Sequence, residues 1–106
     1  MSSNGDQLAR LMDEMVVLLR AQGEEQWAEW IEADAAAIRD RDGRGVDHFL
    51  AAFNAGGSLY DLIFHPRNGN AATEAEGRAA TDRLHELIGE AHPMAVDLSR
   101  EESDAD

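Results

Sequence analysis

The sequence predicts an all-α fold, a compact bundle of four to five helices with a glycine-rich corner at residues 54–70. Three observations carry that prediction. Apolar residues recur at spacings of three and four through most of the chain, the period of one helical face. Glycine, proline and capping residues punctuate those runs where helices start and stop. Only one short stretch alternates as a strand does, and a lone strand has nothing to pair with.

The first helix is expected over about Asp6–Ala21, with Leu8, Leu11, Met12, Met15, Leu18 and Leu19 on one face. Asn4 or Asp6 stands where a cap is needed, and Gly23 where a left-handed stop belongs. A second helix follows from about Glu24 to Arg41. Its acids lead and its arginines trail, the polarity that the helix dipole favours. Trp27, Trp30, Ile31, Ala35 and Ile38 form its stripe. That stripe places the helix at the centre of the core, or else leaves one tryptophan outside as a partner face. "RDGRG" breaks the helix at Gly43 and Gly45.

The third helix is short, about Val46–Ala55, with Val46, Phe49, Leu50 and Phe53 on one side and Gly56 and Gly57 at its end. "SLYDLIFHP" then reads as a short helix or turn. Ser58 is its cap, Asp61 is three residues on, and Leu59, Leu62 and Ile63 share a face. The competing strand would put Tyr60, Leu62 and Phe64 on one side. Thr73 and Glu76 have capping-box spacing ahead of the last helix. Its thin apolar face is Ala79, Ala80, Leu84, Leu87, Ile88 and Ala91, and Pro93 is its expected stop. Residues 1–96 thus read as one domain and 97–106 as an acidic disordered tail.

The formal net charge is −13, and all nine basic residues are arginine. Such a charge repels a phosphate backbone, and the arginines are scattered, so direct nucleic-acid binding is not expected. The arginine bias beside abundant alanine points to a GC-rich bacterial genome. Cysteine is absent, so disulfide and thiol chemistry are excluded. "MSSNGDQLAR" has no basic start followed by an apolar run, and no apolar run approaches membrane-spanning length. The expected location is cytoplasmic, away from any membrane.

Motifs for chemistry are thin. Asp82, His85, Glu86 and His92 have spacings that helical metal sites use, but His92 comes three residues too late for His-Glu-x-x-His. A solvated polar face explains them, and no metal or cofactor is assigned. Ser58 after two glycines is not Gly-x-Ser-x-Gly, and a helix cap explains it better than a nucleophile. "DGRG" and "AGGS" fit neither a P-loop nor a dinucleotide fingerprint. Glu25, Glu29 and Glu32 follow i, i+4, i+7 and form an acidic ridge, whose mutual repulsion costs a few tenths of a kcal/mol per pair.

"GGSLYDLIFHPRNGN", Gly56–Asn70, resembles the signature of an uncharacterised family of small bacterial proteins, in which a glycine-rich turn precedes Ser-Leu-x-Asp-Leu. The tryptophan-bearing helix and "FLAAF" are similar in placement, so the resemblance covers residues 27–90. The chain departs from that pattern at Ala55–Gly56 and at Tyr60. The resemblance implies no activity.

The leading expectation is a non-enzymatic interaction domain, immunity- or antitoxin-like in its sharpest version, that binds a basic or complementary protein. Its candidate contact residues are Glu25, Glu29, Glu32, Tyr60, His65 and Arg67. The alternative is a small-molecule or metal-binding enzyme, with a pocket along Gly56–Asn70 and His48, Asp61 and His65 as its polar groups. Self-association as a homodimer, through an exposed tryptophan or Phe64, is a third reading.

Overall fold

The computed structural model describes residues 4–53, 58–70 and 73–104. Among these residues the expected apolar stripes become four α-helices and no strand. The helices are α1 (Asn4–Ala21), α2 (Glu25–Arg39), α3 (Gly43–Ala51) and α4 (Glu74–Asp104), with two 3-10 turns at Leu59–Asp61 and Pro66–Asn68. α1 packs on α2 and α4, and α3 packs on the same two, so the four helices close a ring around one core. Leu8, Met12, Met15 and Leu19 of α1 meet Ile31 of α2, Phe49 of α3 and Leu84 and Leu87 of α4, all essentially free of solvent. Burial on this scale contributes about 1.5–3 kcal/mol per large side chain before entropy is charged against it. Trp27 and Trp30 are not the centre of that core. Both are half-buried at its edge, with ring centroids 5.5 Å apart.

The corners use local chemistry. Gly23 has the expected left-handed φ of 78°, and Glu24 N–H returns to Leu19 O at 2.8 Å to close α1. The break between α2 and α3 differs from expectation. Arg41, not glycine, takes the left-handed conformation (φ 61°), and Asp42 caps α3 by accepting from Arg44 N–H at 3.0 Å. Gly43 and Gly45 therefore lie inside α3. At Gly45 the helices cross closely: a Cβ there would stand 2.7 Å from Ala37 Cβ and 3.0 Å from Asp34 O. The expected stop at Gly56 and Gly57 lies outside the described residues.

Residues 58–65 form a strap across α4. The turn reading holds for Leu59–Asp61, which is followed by extended backbone. Leu59 and Phe64 are buried, whereas Ile63 is 60% exposed and does not share their face. Ser58 Oγ donates to the Asp61 carboxylate at 3.2 Å instead of capping through its side chain. Phe64 N–H donates to Thr81 Oγ1 at 2.9 Å, and the Thr81 hydroxyl donates to Gly77 O at 2.8 Å. Gly77 and Thr81 are thus the buried positions of early α4, and Ala79, expected there, is exposed. Glu76 N–H donates to Thr73 Oγ1 at 3.1 Å, the expected cap.

α4 does not stop at Pro93. The helix runs through it to Asp104, into the segment expected to be a disordered tail. Proline removes one hydrogen bond to the carbonyl four residues back, here that of Gly89. Gly89 is exposed, so water can serve its carbonyl. Ala91 and Ala95 are buried and Leu98 packs against the core, so tertiary contact outweighs the local penalty. At about 1.5 Å per residue α4 accounts for the 48 Å long dimension of the molecule. No helix among the described residues is long and apolar enough to cross a membrane.

Candidate functional site

One charged side chain sits on the apolar stripe of α2. Asp34 falls three residues after Ile31 and four before Ile38, and only 4% of its side chain is exposed. The close approach at Gly45 brings α3 over it, and His48 Nδ1–H donates to Asp34 Oδ1 at 2.5 Å. The other carboxylate oxygen, Oδ2, is buried with no hydrogen-bond partner among the described residues. Burial pushes the Asp34 carboxyl above the usual carboxylate range, and the His48 hydrogen bond opposes that rise only in part. The His48 ring is half-exposed and stacks on Trp30, with centroids 4.2 Å apart at 15°, while Trp30 Nε1–H donates to His48 O at 3.2 Å. The imidazole is thus held by the Asp34 bond at one edge and by Trp30 on one face, and the residue's backbone is tied to the same tryptophan. His48 also borders a shallow surface depression lined by Ala37, Arg44, Gly45 and Asp47.

This is the arrangement that orients a histidine for proton transfer, and it supplies one half of such a site. The sequence groups His48 with Asp61 and His65 and gives no sign of Asp34 as its partner. The available signal concerned Asp34 alone, an acid on an otherwise apolar helical face, a position that is almost never charged unless paired. Asp61 instead meets Ser58, and the depressions beside His48 and beside His65 share no lining residue. The expected enzyme pocket joining His48, Asp61 and His65 is therefore not assembled by the described residues.

The expected contact residues fall into two groups. Glu25, Glu29 and Glu32 are all exposed on α2, but the ridge is not bare. Arg20 of α1 reaches Glu25 at 3.1 Å and Glu32 at 3.2 Å. Exposed pairs of this kind are weak and screened by salt, but they act against the ridge's own repulsion. Tyr60 is 53% exposed, stacks on His85 at 4.5 Å and receives the His85 Nε2–H on its carbonyl at 3.0 Å. His65 is held by its own turn: Arg67 N–H donates to its Nδ1 at 3.0 Å, which leaves Nε2 toward Glu74 at 3.4 Å. The Arg67 side chain points away from the core and is exposed.

The polar turn His65–Asn70 also has a structural duty. Asn70 Nδ2 donates to Gln22 O at 2.8 Å and to Glu24 Oε1 at 3.1 Å, which pins the turn to the α1–α2 corner. His92 packs edge-on against Phe53 and so does not converge with His85. Among the described residues no three His, Asp or Glu side chains stand close enough to hold a metal ion.

These features define an all-α protein with a buried Asp–His pair between two helices and a corner stapled by asparagine. Residues 20–73, just over half of the chain, match the model of a family described as a domain of unknown function, DUF6966. The chain belongs to that family. The match spans α2, α3, the strap and the asparagine turn, so Trp30, Asp34, Gly45 and His48 all lie within it. No curated protein and no solved structure matches the chain.

Proposed function

We propose that this chain is a non-enzymatic protein-interaction domain that presents an acidic helical surface to a basic partner, with an immunity- or antitoxin-like role as its sharpest version. The supporting observation is the charge balance. The chain carries −13 with only nine arginines, and Arg20, Arg39, Arg44 and Arg83 are all committed to carboxylates of the same chain. The remaining field is strongly negative, which speeds encounter with a basic protein and disfavours nucleic acid and anionic membrane. A cytoplasmic bacterial setting, with Gly56–Leu62 as a family signature, belongs to the same reading. The test is co-elution of the purified chain with the product of its neighbouring gene at low and at high salt. A complex that forms at low salt and loosens as salt rises is expected. Failure to co-elute even at low salt removes the immunity-like version.

A second reading, a small enzyme or ligand-binding protein, is favoured by the Asp34–His48 pair alone. A thermal-shift screen with metals and nucleotides tests it, with His48→Ala as the control. A shift in the parent that is lost in the variant would support this reading over the first.

A further inference from the structure

α1 and α4 run antiparallel, and an apolar groove lies open between them on the outside of the ring. It consists of two depressions of about 440 and 450 Å³ that share Glu14. One is walled by Val17, Leu18, Ala21, Ala80 and Leu87, the other by Leu11 and Met94. The lining positions of α1 extend from Gln7 to Ala21, roughly 21 Å of helix or four turns. Val17 is 71% exposed, the most solvent-exposed of the large apolar side chains on the described surface. Nothing in the ring covers it, and a valine so placed contributes nothing to this core.

Charge decides what fits there. Glu14 and Glu90 line the groove together with Arg10 and Arg83, and Arg83 is already shared between Glu14 at 2.6 Å and Glu86 at 3.0 Å, so the lining is near balance and the negative field is that of the chain as a whole. A second copy of the chain would bring another −13 to the same face, so self-docking is opposed. A cationic helix with an apolar stripe satisfies both features. Its apolar face lies in the groove, and its Lys or Arg flanks meet the rim carboxylates, with Glu14 and Glu86 exchanging Arg83 for the partner's cations. We infer that the α1–α4 groove is the docking surface of this domain and that its occupant is a basic amphipathic helix of another protein. The inference rests on the interaction-domain reading above and names the surface that reading uses.

The experiment titrates the full chain into a fluorescently labelled peptide of roughly 18 residues, with leucines at i, i+3, i+4 and i+7 and lysines flanking them. A shuffled peptide of the same composition without an apolar face is the comparison. Val17→Asp and Ala33→Asp each add one negative charge at an exposed position, the first in the groove and the second on α2. Circular dichroism confirms that both variants fold. Val17→Asp is expected to weaken binding of the amphipathic peptide at least about tenfold, against the sense of its added charge, while Ala33→Asp leaves binding equal or tighter. Equal binding of both peptides with no effect of Val17→Asp overturns the groove and leaves the acidic-domain reading standing. No binding of either peptide at low salt overturns both. Concentration-dependent dimerisation that Val17→Asp abolishes overturns the basic-helix occupant in favour of a second copy.

Discussion

Gly77 and Gly89 lie in the same helix, twelve residues apart, and alanine at the two positions is predicted to act with opposite sign. A Cβ at Gly77 would stand 2.3 Å from Phe64 O and 3.0 Å from Phe64 C, backbone atoms that cannot rotate aside. Restoring even a 3.0 Å contact moves the strap roughly 0.7 Å outward. That motion unseats buried Phe64 and stretches the 2.9 Å bond from its N–H to Thr81. Overpacking of this kind costs about 1–3 kcal/mol, and a buried N–H left unpaired costs about 1–3 more. Alanine returns about 1 kcal/mol of helix propensity, so Gly77→Ala is expected to lose about 1–5 kcal/mol, with a centre near 3 that corresponds to roughly 10 °C or more in Tm. At Gly89 a Cβ meets nothing within 4 Å, so the propensity gain stands alone and Gly89→Ala gains about 0.5–1 kcal/mol. Urea and thermal unfolding followed by circular dichroism measure both. A Gly77→Ala protein as stable as its parent would refute the strap's seating on α4.

Asp34 gives a pH prediction. Its carboxyl is raised by burial, so its contribution to stability is full below the ordinary carboxylate pKa and is lost as pH rises through the raised value. Urea unfolding in steps from pH 3.5 to 7 should therefore show Asp34→Asn gaining on the parent as pH rises, and a constant difference would contradict the buried, raised carboxyl. Pro93→Ala should stabilise the protein by about 1–3 kcal/mol, because α4 continues through this position; no change in unfolding midpoint would place the helix end before it. Asn70→Ala removes the bonds to Gln22 O and Glu24 and should cost about 1–2 kcal/mol, and a neutral result in the same assay would mean that the turn is not pinned to the α1–α2 corner.

Much of the fold was legible because helical periodicity is a local signal. The stripes Leu8–Leu19 and Trp27–Ile38 and the Thr73 cap follow from spacing alone. What escaped depends on neighbours distant in sequence. Pro93 reads as a stop until Ala91, Ala95 and Leu98 are seen packed on the core. Gly45 reads as a helix breaker and Gly77 carries no signal of its own, yet each marks a place where another backbone or helix comes too close for a side chain. Asp34 was hidden for the same reason. A carboxylate on an apolar stripe is unfavourable by itself, and only His48, fourteen residues on, gives it a partner. The α1–α4 groove was not read from the sequence at all. Val17 belongs to the apolar run Met15–Leu19 but falls off the Leu8–Leu19 face, and the ring leaves it uncovered.

The most direct test of an acidic domain that docks a basic helix is an amide chemical-shift map of the full chain as the amphipathic basic peptide is added. The largest shifts are expected on residues 7–21 and 80–94, with α2 between Glu25 and Glu32 little changed. Shifts spread evenly over the acidic surface, or centred on His48, would contradict it.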